Sequence, residues 1–373
     1  MSDRIFLATR KGLFTVQRTG NGACGWEITR AAFEGDYVGM MLPDPRDGSL
    51  YAALGHGHFG IKLHKSTDDG VSWSEIAAPA LPKTPDGAEP VLDMWGKPVP
   101  DTVMDVWSLE GGGPDQPGLL WCGTIPGGLF KSTDAGQSWE LVRSLWDHPG
   151  RRDWFGGGAD WPGIHSICVD PRDSNRVTLG VSCGGVWITT DGGETWECKA
   201  DGMWAAYMPP DQKHKTTIQD PHRVVQCRTQ PDKLWAQHHN GIFRTVDGCD
   251  SWQEIKEAGP STFGFAVVVH PADGETAWFI PAISDEHRIP ADGKVLVTRT
   301  RDGGRSFDVL TQGLPAGHAY DLVFRHALDI DETGNRLVFG STTGSVWLSE
   351  DQGDTWRCLS NNLPPVYGAR FAK

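Results

Sequence analysis

One nine-residue pattern recurs six times along the 373-residue chain. KSTDDGVSW (65–73) returns as KSTDAGQSW (131–139), ITTDGGETW (188–196), RTVDGCDSW (244–252), RTRDGGRSF (299–307) and LSEDQGDTW (348–356). Its aspartates, at 68, 134, 191, 247, 302 and 351, are 66, 57, 56, 55 and 49 residues apart. A period near 50 residues points to a solenoid, a propeller or an array, in which each repeat is one supersecondary unit. The flanking sequence names the unit. An apolar strand with a DP turn (GIHSICVDPRDSN, 163–175) precedes a second strand (RVTLGVS, 176–182). A glycine turn, a third strand (GGVWITT, 184–190), the acidic pattern and a last strand (TWECKA, 195–200) follow. That is a four-stranded antiparallel meander, one propeller blade.

The acidic pattern reads as the hairpin turn between third and fourth strands. Aspartate accepts from backbone N–H groups ahead of it, glycine supplies positive φ, and the terminal aromatic packs back between blades. A calcium loop would need a distal bidentate Glu at fixed spacing, and no copy has one. Cys249 and Phe307 are the two departures from the pattern, at the glycine and tryptophan positions. These repeats resemble the Asp boxes, or BNR repeats, of sialidase-like β-propellers. That group extends to xyloglucanase-type glycosidases, sortilin-type receptors and photosystem-assembly factors. The resemblance spans nearly the whole chain, with boxes at 66–73, 132–139, 189–196, 245–252, 300–307 and 349–356. It implies an all-β propeller domain over 1–373 and leaves the activity open, because the fold carries many functions.

Six boxes give six blades. A seventh is split between the termini: RIFLATRKGLFTVQ (4–17) and GWEITRA (25–31) supply its later strands around a degenerate box, RTGNGACGW (18–26). VYGARFA (366–372) supplies its first strand. The expected fold is therefore a seven-bladed propeller of four-stranded antiparallel blades, closed by the C-terminal strand joining the N-terminal blade so that no edge is left open. Seventeen tryptophans and 47 glycines suit many short strands.

A formal net charge of −14 excludes nucleic acid and anionic membrane as partners. The eight cysteines form no CxxC pair, and MSDRIFLATRKGLF lacks a signal-like apolar core, so the expectation is a cytoplasmic protein with free thiols.

The alternation of connections puts the boxes and DP turns on one face of the ring. The starts of the innermost strands and the second-to-third-strand turns fall on the other. The innermost strands are read to begin within 34–40, 102–108, 163–169, 220–226, 262–268, 318–324 and 365–371. This mapping gathers His165, His222, His239, Asp105 and Asp321 as candidate catalytic groups. Arg10, His58, His238, Trp154, Trp161, Arg288 and His318 are candidate substrate-binding groups. His165, His222 and His239 are also the candidate ligands of a divalent metal, since imidazoles with carboxylates suit Zn, Mn or Fe. The resident alternative is that channel histidines only satisfy buried backbone groups. Insertions at 77–101, 143–162 and 200–221 carry Trp95, Trp146, Trp154, Trp161, Trp204 and Tyr207 over the same face. Loops of that length are binding loops or lids.

Sialidase chemistry lacks its groups: the family's arginine motif belongs near the N-terminus, and the only RIP here is Arg288–Pro290. The expectation is a hydrolase- or lyase-type enzyme, glycosyl hydrolase-like, acting on a small polar or carbohydrate-derived molecule. The competing expectation is a non-catalytic scaffold that holds a protein partner.

Overall fold

The computed structural model describes residues 2–20, 25–85, 87, 89–93, 95–157 and 159–372. Seven four-stranded antiparallel sheets follow one another around a ring. Blade 1 joins 366–371 to 4–9, 12–18 and 26–32; blade 2 holds 37–43, 50–55, 61–66 and 74–76; blade 3 holds 105–111, 120–125, 129–132 and 140–141. Blade 4 holds 163–169, 177–182, 185–189 and 197–198, and blade 5 holds 221–226, 234–238, 241–245 and 253–255. Blades 6 and 7 take 264–270, 273–281, 297–300 and 308–310, then 328–330, 337–340, 346–349 and 357–360. Closure is as expected: the C-terminal strand pairs antiparallel with the N-terminal one, Ile5 opposite Phe371 and Leu7 opposite Ala369. Residues 21–24 of the degenerate N-terminal box lie outside the described residues.

Second and third strands are buried on both faces between neighbouring blades, which is why they read as near-continuous apolar runs such as LWCGTI (120–125). Trp121, Trp187, Trp235 and Trp278 are fully buried wedges between blades.

The acidic turns have the local chemistry read from the sequence. In the turn at 132–139 the Asp134 carboxylate accepts from the Ser138 backbone N–H (2.9 Å), the Ser138 hydroxyl (2.6 Å) and the Ser132 hydroxyl (2.8 Å). Two consecutive residues take positive φ, Ala135 at 58° and Gly136 at 87°. The turn in which Cys249 stands at the glycine position keeps the same pair, Gly248 at 72° and Cys249 at 78°.

Two features differ from expectation near the axis. The innermost strand of blade 7 is Leu328–Ile330, not 318–324. Residues 318–327 cross the mouth of the ring as irregular chain, held by reciprocal backbone and side-chain bonds between Leu322 and Thr342. The second feature is a bulge repeated in the innermost strands. Pairing skips Tyr367 in blade 1, Gly39 in blade 2, Trp107 in blade 3, His165 in blade 4 and His222 in blade 5. In blade 6 it skips Phe265 and Ala266. A bulge re-aims the unpaired side chain, and here the re-aimed residues meet at the axis.

The serine hydroxyls hold the Asp68, Asp134 and Asp302 carboxyls down at about 2. A depressed folded pKa gives stability that is complete above the unfolded value of about 3.9 and is lost as pH falls through the folded one. The turns' own contribution to the urea midpoint, read as wild type minus a turn variant, should thus stay level from pH 7 to pH 5 and fall between roughly pH 4 and 2. Replacing Asp134 by Asn should lower the neutral plateau and make that acid limb shallower. An unchanged limb would mean the turns do not carry the fold.

Candidate functional site

The sequence places an aspartate and a histidine two residues apart where the innermost strand of blade 5 begins, Asp220 just before the strand and His222 at its bulge, which brings the two side chains together. Asp220 and His222 are both buried. Asp220 Oδ1 accepts from the Ser182 hydroxyl and the Cys183 backbone N–H, each at 3.0 Å. Its Oδ2 faces two imidazoles, His222 Nε2 at 3.4 Å and His239 Nδ1 at 3.5 Å. His239 is brought in from the second-to-third-strand turn of the same blade, and its backbone N–H donates to Asp220 O at 2.9 Å. His222 Nδ1 lies 2.6 Å from Gly264 O. A carbonyl only accepts, so this nitrogen carries a proton, and Nε2 is the ring atom turned toward the Asp220 carboxylate.

Burial alone would raise the Asp220 carboxyl, but the two imidazoles and Arg325 bring it well below the usual range. His222 is pushed down by burial, whereas His239, also partly buried, is lifted by Asp220. The site thus pairs a committed anion with two imidazoles in different surroundings.

Above these groups is a cavity of about 350 Å³. All three long insertions reach it: Trp95 from the first, Phe155 from the second, Tyr207 and Met208 from the third. Their rings meet edge to face, Trp95 to Phe155 at 5.7 Å, Phe155 to Tyr207 at 6.1 Å and Tyr207 to His239 at 5.0 Å. The Tyr207 hydroxyl donates to Ile218 O at 2.8 Å, which fixes the ring. Phe265 stacks on His222 at 4.6 Å, and Arg288, paired with Asp285, lies over Phe265.

His222, His239 and Arg288 are the sequence candidates that this cavity brings together. The others lie elsewhere. His165 is fully buried with Nδ1 on the Ser166 hydroxyl (2.9 Å) and Nε2 on Pro221 O (2.6 Å). Both nitrogens are spent on holding the strand start, so His165 is neither a ligand nor an acid–base group. His238 is a buried post whose ring nitrogens lie 3.1 and 3.0 Å from the Asp220 and Asn240 backbone nitrogens; burial lowers it to about 3. Asp105 takes the Tyr37 hydroxyl (3.1 Å), with Arg10 over the Tyr37 ring, in a separate cluster between blades 2 and 3. Asp321 is capped by the Ser341 and Thr343 hydroxyls because the irregular 318–327 segment carries it there. Trp154 is core, packed on Trp187 at 5.7 Å, and Trp161 is buried beneath the Lys97 ammonium. His58 and His318 are exposed on turns away from the cavity.

The sequence reading passed over Asp220, the centre of the cluster, although the Asp–X–His spacing was its signal. It also passed over Arg325. This guanidinium is buried across the axis, 4.6 Å from the Trp107 ring centre and 5.3 Å from that of Phe265, and burial lowers it to about 10. Its Nε and Nη2 have no hydrogen-bond partner among the described residues.

A larger opening, about 610 Å³, lies on the opposite face, where the DP turns surround the channel. Its charges are satisfied internally, Arg370 by Glu110 and Arg46 by Asp44. The smaller cavity is the better candidate because it joins unspent polar atoms to apolar walls.

No family model matches the chain. An oligoxyloglucan-reducing end-specific xyloglucanase of Emericella nidulans is 37% identical over 268 residues, covering 64% of this chain and 30% of that enzyme. The chain has xyloglucanase relatives. It spans less than a third of the length of the curated proteins it matches. Among solved structures, the GH74 xyloglucanase of Xanthomonas campestris aligns at TM-score 0.63 and 16% identity, over 97% of this chain and 53% of that one. YCF48 bound to D1 peptide aligns at TM-score 0.51 and 15% identity, over 86% and 80%. At such identities the structural neighbours establish the fold alone.

Asp105 supplies a prediction with the opposite sign to the acidic turns. Burial raises its carboxyl to about 6. A raised folded pKa favours the fold below the unfolded value of about 3.9, and that contribution is lost as pH rises through about 6. Asp105→Asn should therefore stabilise the protein at pH 7.5, by on the order of 1–2 kcal/mol because the group is only partly enclosed. The gain should vanish at pH 4. Urea midpoints of both proteins at the two pH values check this, and an equal gain at both would refute the titration.

Proposed function

We propose that the chain is a hydrolase- or lyase-type enzyme acting on a small carbohydrate-derived molecule held in the cavity above Asp220. The observation that carries this reading is one cavity in which aromatic walls stand directly over a carboxylate and two imidazoles. Trp95, Phe155 and Tyr207 offer flat apolar faces to a sugar ring, and Arg288 offers donors to its polar edge. Asp220, His222 and His239 lie at the base, where the reacting bond would be positioned. The xyloglucanase relatives act on a carbohydrate polymer by name, which supports the substrate class; the cavity size favours a single residue or a chain end over a threaded polymer.

Two carboxylic acids in the usual glycosidase arrangement are not what the cavity offers. Asp285 is engaged with Arg288, and Asp220 spends one oxygen on Ser182 and Cys183. Imidazole and carboxylate together are the chemistry on hand.

A second reading has its own observation. Large apolar side chains stand exposed on the same face, Phe59 at 81%, Trp95 at 64% and Tyr320 at 58%. Such a collar suits a protein partner, and one structural neighbour is described with a bound peptide.

A thermal-shift series with neutral monosaccharides, uronic and aldonic acids, and short xyloglucan fragments separates the two. A saccharide that raises Tm, followed by its turnover, is the expected result. Tyr207→Ala should then weaken binding about tenfold while Tyr207→Phe largely restores it, since the ring stacks. If no saccharide shifts Tm while a co-purifying protein is lost on replacing Phe59 and Tyr320 by serine, the scaffold reading replaces this one.

A further inference from the structure

We propose that Asp220, His222 and His239 form a divalent transition-metal site at the base of the cavity. The proposal deepens the enzymatic reading of that cavity and stands on its own geometry.

The first observation is a conflict between facing atoms. His222 Nδ1 donates to Gly264 O at 2.6 Å, so in the neutral ring the lone pair on Nε2 points at Asp220 Oδ2, 3.4 Å away. Two acceptors aimed at each other in a buried place repel, and a cation, either a second ring proton or a metal ion, relieves that repulsion. The second observation is the spacing. Charge-assisted N–H···O bonds are about 2.7–2.9 Å, but Oδ2 stands at 3.4 Å from one imidazole and 3.5 Å from the other. Two ligands each about 2.1 Å from a metal at a tetrahedral angle lie about 3.4 Å apart. One donor atom from each of the three residues lies within 4.8 Å of the other two. The three atoms frame one face of a coordination shell and leave the side toward the cavity open, as catalytic sites do.

The third observation is the outer support. Asp220 Oδ1 is held by the Ser182 hydroxyl and the Cys183 N–H, which leaves Oδ2 free to ligate. Gly264 O orients His222, and the Asp220 carbonyl fixes the His239 backbone. Metal-binding histidines characteristically donate their second nitrogen to a carbonyl or carboxylate in this way. Two imidazoles and a carboxylate select Zn, Mn or Fe over Ca or Mg. The ion would sit beside the rings of Phe265, Tyr207 and Phe263, which pack on the two imidazoles.

The sequence reading placed a metal on His165, His222 and His239. Asp220 takes the place of His165, whose nitrogens are both committed.

The test is metal content of the full chain. Protein dialysed against chelator should take up close to one equivalent of Zn²⁺, Mn²⁺, Fe²⁺ or Co²⁺ by elemental analysis, with a rise in Tm. With Co²⁺, the visible ligand-field bands should report nitrogen and oxygen donors. His239→Ala, at the accessible edge of the cluster, should lower affinity at least about tenfold. Asp220→Asn should do the same, and His165→Gln should leave stoichiometry unchanged wherever it folds. Uptake by the wild type that His239→Ala and Asp220→Asn do not weaken would put the metal elsewhere and overturn the proposal. So would no binding of any of the four ions to folded wild type at 100-micromolar concentrations, on the order of a weak encounter. Saccharide turnover by the metal-free protein would likewise overturn a metal role while the enzymatic reading stood. Metal binding without any saccharide effect would uphold the site and remove that reading.

Discussion

The blades are tied to one another by a long donor that reaches from each blade to a carbonyl in the acidic turn of the next. Arg30 of blade 1 reaches Asp69 O, Tyr51 of blade 2 reaches Ala135 O (3.3 Å), and Lys131 of blade 3 reaches Gly192 O (3.0 Å). Arg176, Arg244 and Arg299 repeat the contact at Gly248, Gly303 and Gln352. The last junction substitutes the chain terminus, with Arg336 donating to Ser2 O at 2.7 Å. Each carbonyl is offered outward only because the aspartate has pulled the turn's own N–H groups inward and two consecutive residues accept positive φ. The repeated carboxylate therefore acts twice, closing its own hairpin and presenting an acceptor to its neighbour. A single such bond contributes about 1 kcal/mol. Seven in a closed ring fix the angle between blades, and with it what converges on the axis.

At the axis each blade contributes one principal side chain, and most of them are aromatic. Tyr37 meets Tyr367 at 5.3 Å, Tyr367 stacks on Phe324 at 6.0 Å, and Phe324 meets Phe265 at 5.9 Å. Phe265 continues to His222, and Trp107 meets His165 at 5.7 Å. Arg325 lies across this ring. The channel is thereby plugged, and the chemistry is displaced from the centre to the side where blades 4, 5 and 6 meet the three insertions. A buried guanidinium without full hydrogen bonding is costly; the faces of Trp107 and Phe265 and the nearby Asp220 charge offset part of that cost.

The ring and its blade count were legible because the acidic turn is a local device: its aspartate, glycine and hydroxyls bond within nine residues, so the chemistry is written contiguously. The lining of the cavity was legible only as loops. Trp95 and Tyr207 stood out as aromatic residues in long insertions, but nothing local distinguishes them from Trp154 and Trp161, which the fold buries as core. The face-by-face mapping brought His222, His239 and Arg288 to the correct side. It failed for His165 because a bulge, not alternation, sets that ring's direction, and Pro221 O occupies the nitrogen that alternation left free. It failed for Asp321 because residues 318–327 abandon the strand register of their blade. Arg325 was invisible for the same reason, lying in a segment that the repeat pattern assigned to a regular strand.

The recurring bulge explains how one architecture separates structure from chemistry. An ordinary innermost strand would alternate its side chains between the faces shared with neighbouring blades, and nothing would project into the hub. Skipping one residue in the pairing frees that position from both faces and turns it inward. Its identity is then unconstrained by blade packing. In blade 2 the freed residue is Gly39, where a Cβ would come within 2.9 Å of both the Asp105 carboxylate and the Tyr37 hydroxyl. The missing side chain makes room for their contact. In blade 4 the freed residue is His165, which bonds the next blade through Pro221 O and so becomes part of the frame. In blade 5 it is His222, which bonds the following blade through only one nitrogen. Its second nitrogen remains, beside the Asp220 carboxylate and under the aromatic roof. The difference between a structural and a chemical histidine here is one hydroxyl: each ring meets one carbonyl, but Ser166 Oγ takes the second nitrogen of His165, whereas that of His222 faces the Asp220 carboxylate.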